Sequence, residues 1–211
     1  MRKVVIIILA VLFAAPIENV SAQNLSKALK KEYKAKMKEF KKGKWELFGS
    51  ARTVDVLLMD FYSSLDGNPN VRELVGFAPR FQSKSVGHQT AINDACRTYA
   101  QQSGSSVKGR VASDMASDGI DVASEFEHFY AAYERLVEKE IQGELQEKFS
   151  MIRQIDKESG KPIYEMQTYF IVDEDAATRA RIRAFENAAK ESAAAQKYAS
   201  KVSEFVKEGF E

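Results

Sequence analysis

The chain has 211 residues, 45% hydrophobic and 29% charged, and its 31 Lys+Arg against 30 Asp+Glu leave a formal charge of +1. That composition is too apolar for wholesale disorder and too balanced for a dedicated nucleic-acid binder, which carries a net basic field. Four prolines and 11 glycines exclude collagen-like and low-complexity architectures, and the single cysteine excludes an intramolecular disulfide framework and a thiolate-rich zinc site.

Residues 1–22 read as an export signal. Arg2 and Lys3 give a positive start, Val4 to Ala15 is an unbroken apolar run, Pro16 breaks it, and Val20-Ser21-Ala22 offers small residues to a signal peptidase. As a helix that 12-residue run reaches about 18 Å, short of the roughly 30 Å hydrocarbon core. Cleavage after Ala22 is expected, the competing expectation being an uncleaved anchor. Cys96 lies far from the cut, so no lipidation cysteine stands there. The expected product is exported and soluble, in the periplasm or outside the cell. Its charge is unevenly placed. Asn24 to Lys44 holds nine lysines against Glu32 and Glu39, a local +7, so everything from Trp45 onward sums to −7.

Leu25, Leu29, Tyr33, Met37 and Phe40 trace one apolar stripe and predict an amphipathic helix over 23–44, stopped at Gly43. The rest, 45–211, reads as one α+β domain. A short strand is expected over Trp45 to Ala51, a helix over Thr53 to Leu65, and a loop over Asp66 to Asn70. Glu73 to Phe81 reads as a strand that Pro79 places at an edge or a strand end. A helix over Gln82 to Gln102 is expected to end at Gly104, followed by a short strand from Val107 to Val111 and a polar loop from Ser113 to Asp121. Val122 to Gln142 carries a strong helical period. Leu145 to Ile155 and Ile163 to Val172 read as a hairpin whose connection, Asp156 to Pro162, is longer than the tightest turns. Acidic residues at Asp173-Glu174-Asp175 favour a helix start. From there one long helix, about 174–208, is expected along the seam Phe185, Ala188, Ser192, Ala195, Ala199, Val202 and Val206. The order of elements favours a mixed, mostly antiparallel sheet covered by helices.

Candidate chemistry is sparse. His88 and Cys96 share a helix face, but eight helical residues separate their Cα atoms by about 12 Å, too far for one to deprotonate the other. Glu125 to His128 lacks the second histidine of a zincin motif. Asp114, Asp118, Gly119 and Glu125 match calcium-loop positions 1, 5, 6 and 12, whereas Ala116 and Val122 supply no ligand at 3 and 9, and the preceding segment reads as a strand. Gly104 to Val111 has phosphate-loop glycine spacing without the Lys-Ser/Thr pair. No metal or other cofactor is expected. The sharpest feature is the cationic face of the first helix, Lys27, Lys30, Lys31, Lys34, Lys38, Lys41 and Lys42. It reads either as solvated filler on a docked helix or as a binding face for an acidic polymer, an acidic protein or an anionic membrane surface.

Ala91-Ile92-Asn93-Asp94-Ala95, Tyr99-Ala100, Gly104 and Val107-Lys108-Gly109, then Gly143-Glu144-Leu145, Gly160, Tyr164-Glu165-Met166 and the strand from Tyr169 to Val172 form a pattern over about 76–172. It resembles the small bacterial envelope lipoprotein and flagellar assembly protein T N-terminal type. The chain departs from that type in lacking a lipidation cysteine and in adding the basic helix and the long C-terminal helix. The resemblance implies an α+β envelope domain that works by binding or scaffolding, with an envelope polymer or an envelope protein as partner. The alternative expectation is a periplasmic hydrolase-type enzyme using His88 or His128 with a carboxylate such as Asp94.

Overall fold

Alternating side chains along two 13-residue segments build the longest strands, and the computed structural model, which describes residues 25–115, 122–190, 196 and 199–208, sets them at the centre of a four-stranded sheet. The elements in chain order are α1 (Lys27–Lys42), β1 (Glu46–Phe48), α2 (Val54–Leu65), β2 (Val71–Phe81), α3 (Lys84–Met115), α4 (Val122–Ile141), β3 (Gln146–Glu158), β4 (Lys161–Asp173) and α5 (Glu174–Ala189). The final helix, α6, is Ala199–Glu208. The sheet order is β1-β3-β4-β2 with every pair antiparallel, so the fold is α+β as expected. The expected signal segment, residues 1–22, lies outside the described residues. Among those described, no helix is long and apolar enough to cross a membrane.

The period of two sends alternate residues of the central strands to opposite faces, and both faces are covered. On one, Phe149, Met151, Tyr169 and Ile171 meet α1 and α2 through Tyr33, Phe40, Leu58, Phe61 and Tyr62. On the other, Leu74, Phe170 and Val172 meet α3, behind which α4, α5 and α6 complete the larger core. Closest approach of α3 to the sheet is set by a glycine. A Cβ on Gly76 would stand 1.8 Å from the Ala91 carbonyl oxygen. As Pro79 led one to expect, β2 is an edge strand, and its register shifts between Ala78 and Phe81.

Four expectations are corrected. The β3–β4 turn is the tight two-residue kind: Ser159 and Gly160 take φ of 50° and 80°, and pairing runs on through Asp156↔Ile163 to Glu158↔Lys161. Val107–Val111 is helix, not strand, because Tyr99, Ser103, Val107 and Val111 continue one buried face of α3 at four-residue spacing. Gly104 therefore does not end that helix. It lies against α4, where a Cβ would fall 2.3 Å from Glu134 Cγ. Among the described residues the expected single C-terminal helix is instead two, α5 and α6, packed on each other. Arg181 Nε donates to the Val206 carbonyl at 3.3 Å across 25 residues, a separation of about 37 Å in one straight helix.

Arg181 is 2% exposed and ties the C-terminal half together. It also donates to the Tyr99 hydroxyl, to Thr178 Oγ1 at 2.7 Å and to Glu174, which itself pairs with Arg72 of β2. The start of α5 is capped by Asp173, whose carboxylate accepts from Ala176 N at 2.9 Å.

The two glycine contacts separate in their consequences. Gly76→Ala must push backbone against backbone and is expected to lower unfolding stability by at least about 1–3 kcal/mol. At Gly104 only a flexible glutamate has to move, and alanine gains about 1 kcal/mol of helix propensity, so Gly104→Ala is expected to be near neutral or stabilising. Urea unfolding of the two variants checks both.

Candidate functional site

Helix α1 converts the lysine pattern into a surface. Its apolar stripe is the docking seam: Leu25, Tyr33 and Phe40 are buried, and Leu29 and Met37 are partly so. At about 100° per residue, Lys27, Lys30, Lys31, Lys34, Lys38, Lys41 and Lys42 then fall within an arc of about 120° on the opposite side. Six of the seven are exposed and Lys30 is half-buried. Glu32, Lys36 and Glu39 lie outside that arc. Lys36 is the lysine turned toward the body, paired with Glu39 at 2.8 Å and 5.9 Å from the ring centroids of Phe40 and Tyr169. Among the described residues, none of the seven outward lysines forms an ion pair.

The helix is fixed at both ends. At its start, Ser26 N donates to Asp66 Oδ2 at 2.8 Å, joining it to the end of α2. Midway, the Tyr33 hydroxyl donates to Asp55, and burial with this nearby carboxylate pushes the phenol well above its ordinary range. Lys34, Lys38 and Lys41 rim a groove of about 360 Å³ beside Met37, Tyr33 and Asp55.

At its far end α1 overlooks an open cleft of about 470 Å³, which the sequence reading missed. Trp45 follows the helix and is 8% exposed, because the Arg153 guanidinium sits 4.7 Å from its ring centroid. Arg153 also donates to Glu165 and to the Gly43 carbonyl at 3.4 Å. Gly43 is required by this packing: a Cβ there would stand 2.7 Å from the indole and 3.0 Å from Arg153. Gln167 and Phe77, paired across β4 and β2, complete the floor. No local motif announces the cleft, since its parts come from α1, β2, β3 and β4.

The titratable candidates are dispersed. His88 Nε2 meets Glu147 at 2.9 and 3.1 Å, the two side chains being 29% and 36% exposed. Ser150 Oγ donates to that same Glu147 at 2.7 Å and contacts Thr168 Oγ1 at 3.0 Å. The carboxylate thus holds imidazole and hydroxyl alike, and the hydroxyl is not aimed at the imidazole as a general-base pair requires. Asp94 is engaged elsewhere, accepting from Phe77 N at 2.9 Å and pairing with Arg97 at 2.6 Å. His128 is exposed.

Of the calcium-loop candidates, Asp118 lies outside the described residues, and Asp114 and Glu125 belong to α3 and α4. The segment before the loop is helix rather than the expected strand. Among the described residues no group of three or more His, Cys, Asp or Glu is placed to hold a metal ion. No protein-family model, no curated protein and no solved structure matches the chain.

Cys96 is buried in the core, and burial with the Glu138 charge pushes its thiol up to about 11. A thiol reagent at pH 8 is expected to leave the native protein unmodified over minutes and to label it fully after denaturation; rapid native labelling would contradict the burial. Gly43→Ala is expected to move Trp45, the sole tryptophan, giving a red-shifted emission maximum and a loss of about 1–3 kcal/mol in stability.

Proposed function

We propose that this protein is an exported, non-enzymatic binding module of the cell envelope that docks on an anionic envelope polymer through the lysine face of α1. One observation carries the reading: seven lysines occupy one arc of a helix whose opposite side is locked into the body, and none of them is neutralised among the described residues. A lysine row used as filler would be expected to alternate with carboxylates, as Lys36 does with Glu39. The burial of Tyr33 and Phe40 removes the apolar face that an interfacial helix would insert into lipid. What remains is an electrostatic contact, effective over a Debye length of about 8 Å at physiological salt. Export by the N-terminal signal and the resemblance to envelope domains over about 76–172 support placing that contact in the envelope. The hydrolase alternative rests on His88 and Glu147, where the neighbouring serine is held by the carboxylate.

Deleting 23–44 would not be a clean test, because Phe40 is 2% exposed in the core. Substituting Lys31, Lys34, Lys38 and Lys41 by Gln leaves that packing untouched. Wild-type protein is expected to bind a heparin column and to elute with added salt. Each substitution is expected to weaken association by about 1 kcal/mol, roughly fivefold, with an unchanged circular dichroism spectrum. Unaltered elution of the fourfold variant would defeat the proposal, and retention on anionic vesicles but not on polyanions would reassign the contact to a membrane surface.

A further inference from the structure

The cleft at the end of α1 has a chemistry unlike that of the lysine face. Its lining charges balance in number, Glu39 and Glu165 against Lys42 and Arg153; Arg153 pairs with Glu165 and Glu39 with Lys36, and Lys42 is the exposed charge without an ion pair among the described residues. A single exposed lysine makes a weaker field for an ion than the row on α1. What the cleft offers is planar hydrogen-bonding groups beside an apolar ring. Arg153 is held flat by Trp45 on one side and by Glu165 and the Gly43 carbonyl at its edges, so its remaining edge is pre-positioned. Gln167 is oriented as well, since its carbonyl oxygen accepts from the Tyr169 hydroxyl at 2.7 Å, leaving the amide N–H groups to donate. Phe77 is 39% exposed, an aromatic ring open to solvent on the same face of the sheet.

We propose that this cleft binds a segment of neutral saccharide chain, with the Phe77 ring against a sugar face and Arg153, Glu165 and Gln167 on its hydroxyl edge. A pyranose presents C–H groups on its faces and hydroxyls around its rim, which is the pairing this floor supplies. Its volume of about 470 Å³ falls in the range of about 300–1,000 Å³ usual for small-molecule sites. Register places Arg153 opposite Glu165 and Phe77 opposite Gln167, so the floor crosses three strands. With strands about 4.8 Å apart and a rise of about 3.4 Å per residue, Arg153 and Phe77 stand about 12 Å apart at their Cα atoms, room for a disaccharide unit. The open ends suit a chain rather than a free monosaccharide. A peptide strand fits less well: the floor strands are hydrogen-bonded to each other, and the outward N–H of Phe77 is taken by Asp94.

Trp45 is the only tryptophan, so its emission reports the cleft directly. The test titrates the full protein with three neutral trisaccharides (cellotriose, maltotriose and N,N′,N″-triacetylchitotriose), each to about 10 mM, above the roughly 1 mM dissociation constant of weak binding. At least one is expected to give a saturable change in Trp45 emission that is insensitive to salt. Phe77→Ala, a change at an exposed position, is expected to weaken it about three- to tenfold, and Phe77→Tyr to retain it. The Lys31, Lys34, Lys38 and Lys41 substitutions are expected to leave it unchanged, so the polyanion and saccharide contacts fail or stand separately. No response to any of the three sugars, equal binding by Phe77→Ala, or a response only to a charged sugar such as trigalacturonic acid would overturn the proposal.

Discussion

One aromatic stack carries the arrangement of the N-terminal half. Phe149 and Tyr169, cross-strand partners on β3 and β4, lie face to face with centroids 4.5 Å apart and planes 10° from parallel. Phe40 of α1 and Phe61 of α2 each meet both rings edge-on, at 5.7 to 6.4 Å. Edges of aromatic rings are electropositive and faces electronegative, so four rings in this arrangement add directional attraction to their burial. The clamp fixes the roll of α1 about its axis. It therefore decides which lysines point outward, and it delivers Gly43 and Trp45 to the sheet at the place where Arg153 can cover the indole.

The opposite face of the sheet is held by shape and by one buried cation. Gly76 with Ala91 and Ala95 allows α3 to approach β2 closely, and the long helix then presents Tyr99 to Arg181. An arginine buried to this degree needs several acceptors, because an unpaired charge in the core costs several kcal/mol. Tyr99, Thr178, Glu174 and the Val206 carbonyl supply them from α3, α5 and α6. The two faces thus differ in kind: aromatic packing positions the candidate binding surface, and a polar hub fastens the helices behind it.

Much of this was legible in the sequence, for identifiable reasons. The α1 stripe could be read because its apolar residues recur at helical spacing and its lysines fill the complementary arc. The central strands announced themselves by alternation, though the polar run from Asp156 to Pro162 made their turn look longer than the two residues it is. The second half of α3 was misread because Val107 and Val111 are β-branched and follow Gly104, while their four-residue spacing serves the buried face of a helix. The role of Gly104 lies in contact with α4, which no local pattern reveals. The packing of α6 back on α5 was hidden because an alanine-rich seam runs on without a break in the sequence between them. The cleft was invisible for a different reason: Trp45, Phe77, Arg153 and Glu165 are brought together by strand register alone.

The sheet order has a temporal consequence. Only β3–β4 is a local pairing, closed by two residues; β1 joins β3 through Glu46↔Ile152 and β2 joins β4 through Val71↔Asp173, each across about a hundred positions. Long loops must close before such pairings are rewarded, so these two pairings form at a higher entropic cost than the hairpin. During translation, Phe40 and Phe61 emerge well before Phe149 and Tyr169, the rings they are built to clamp. The N-terminal elements therefore cannot complete their core until the last third of the chain is made.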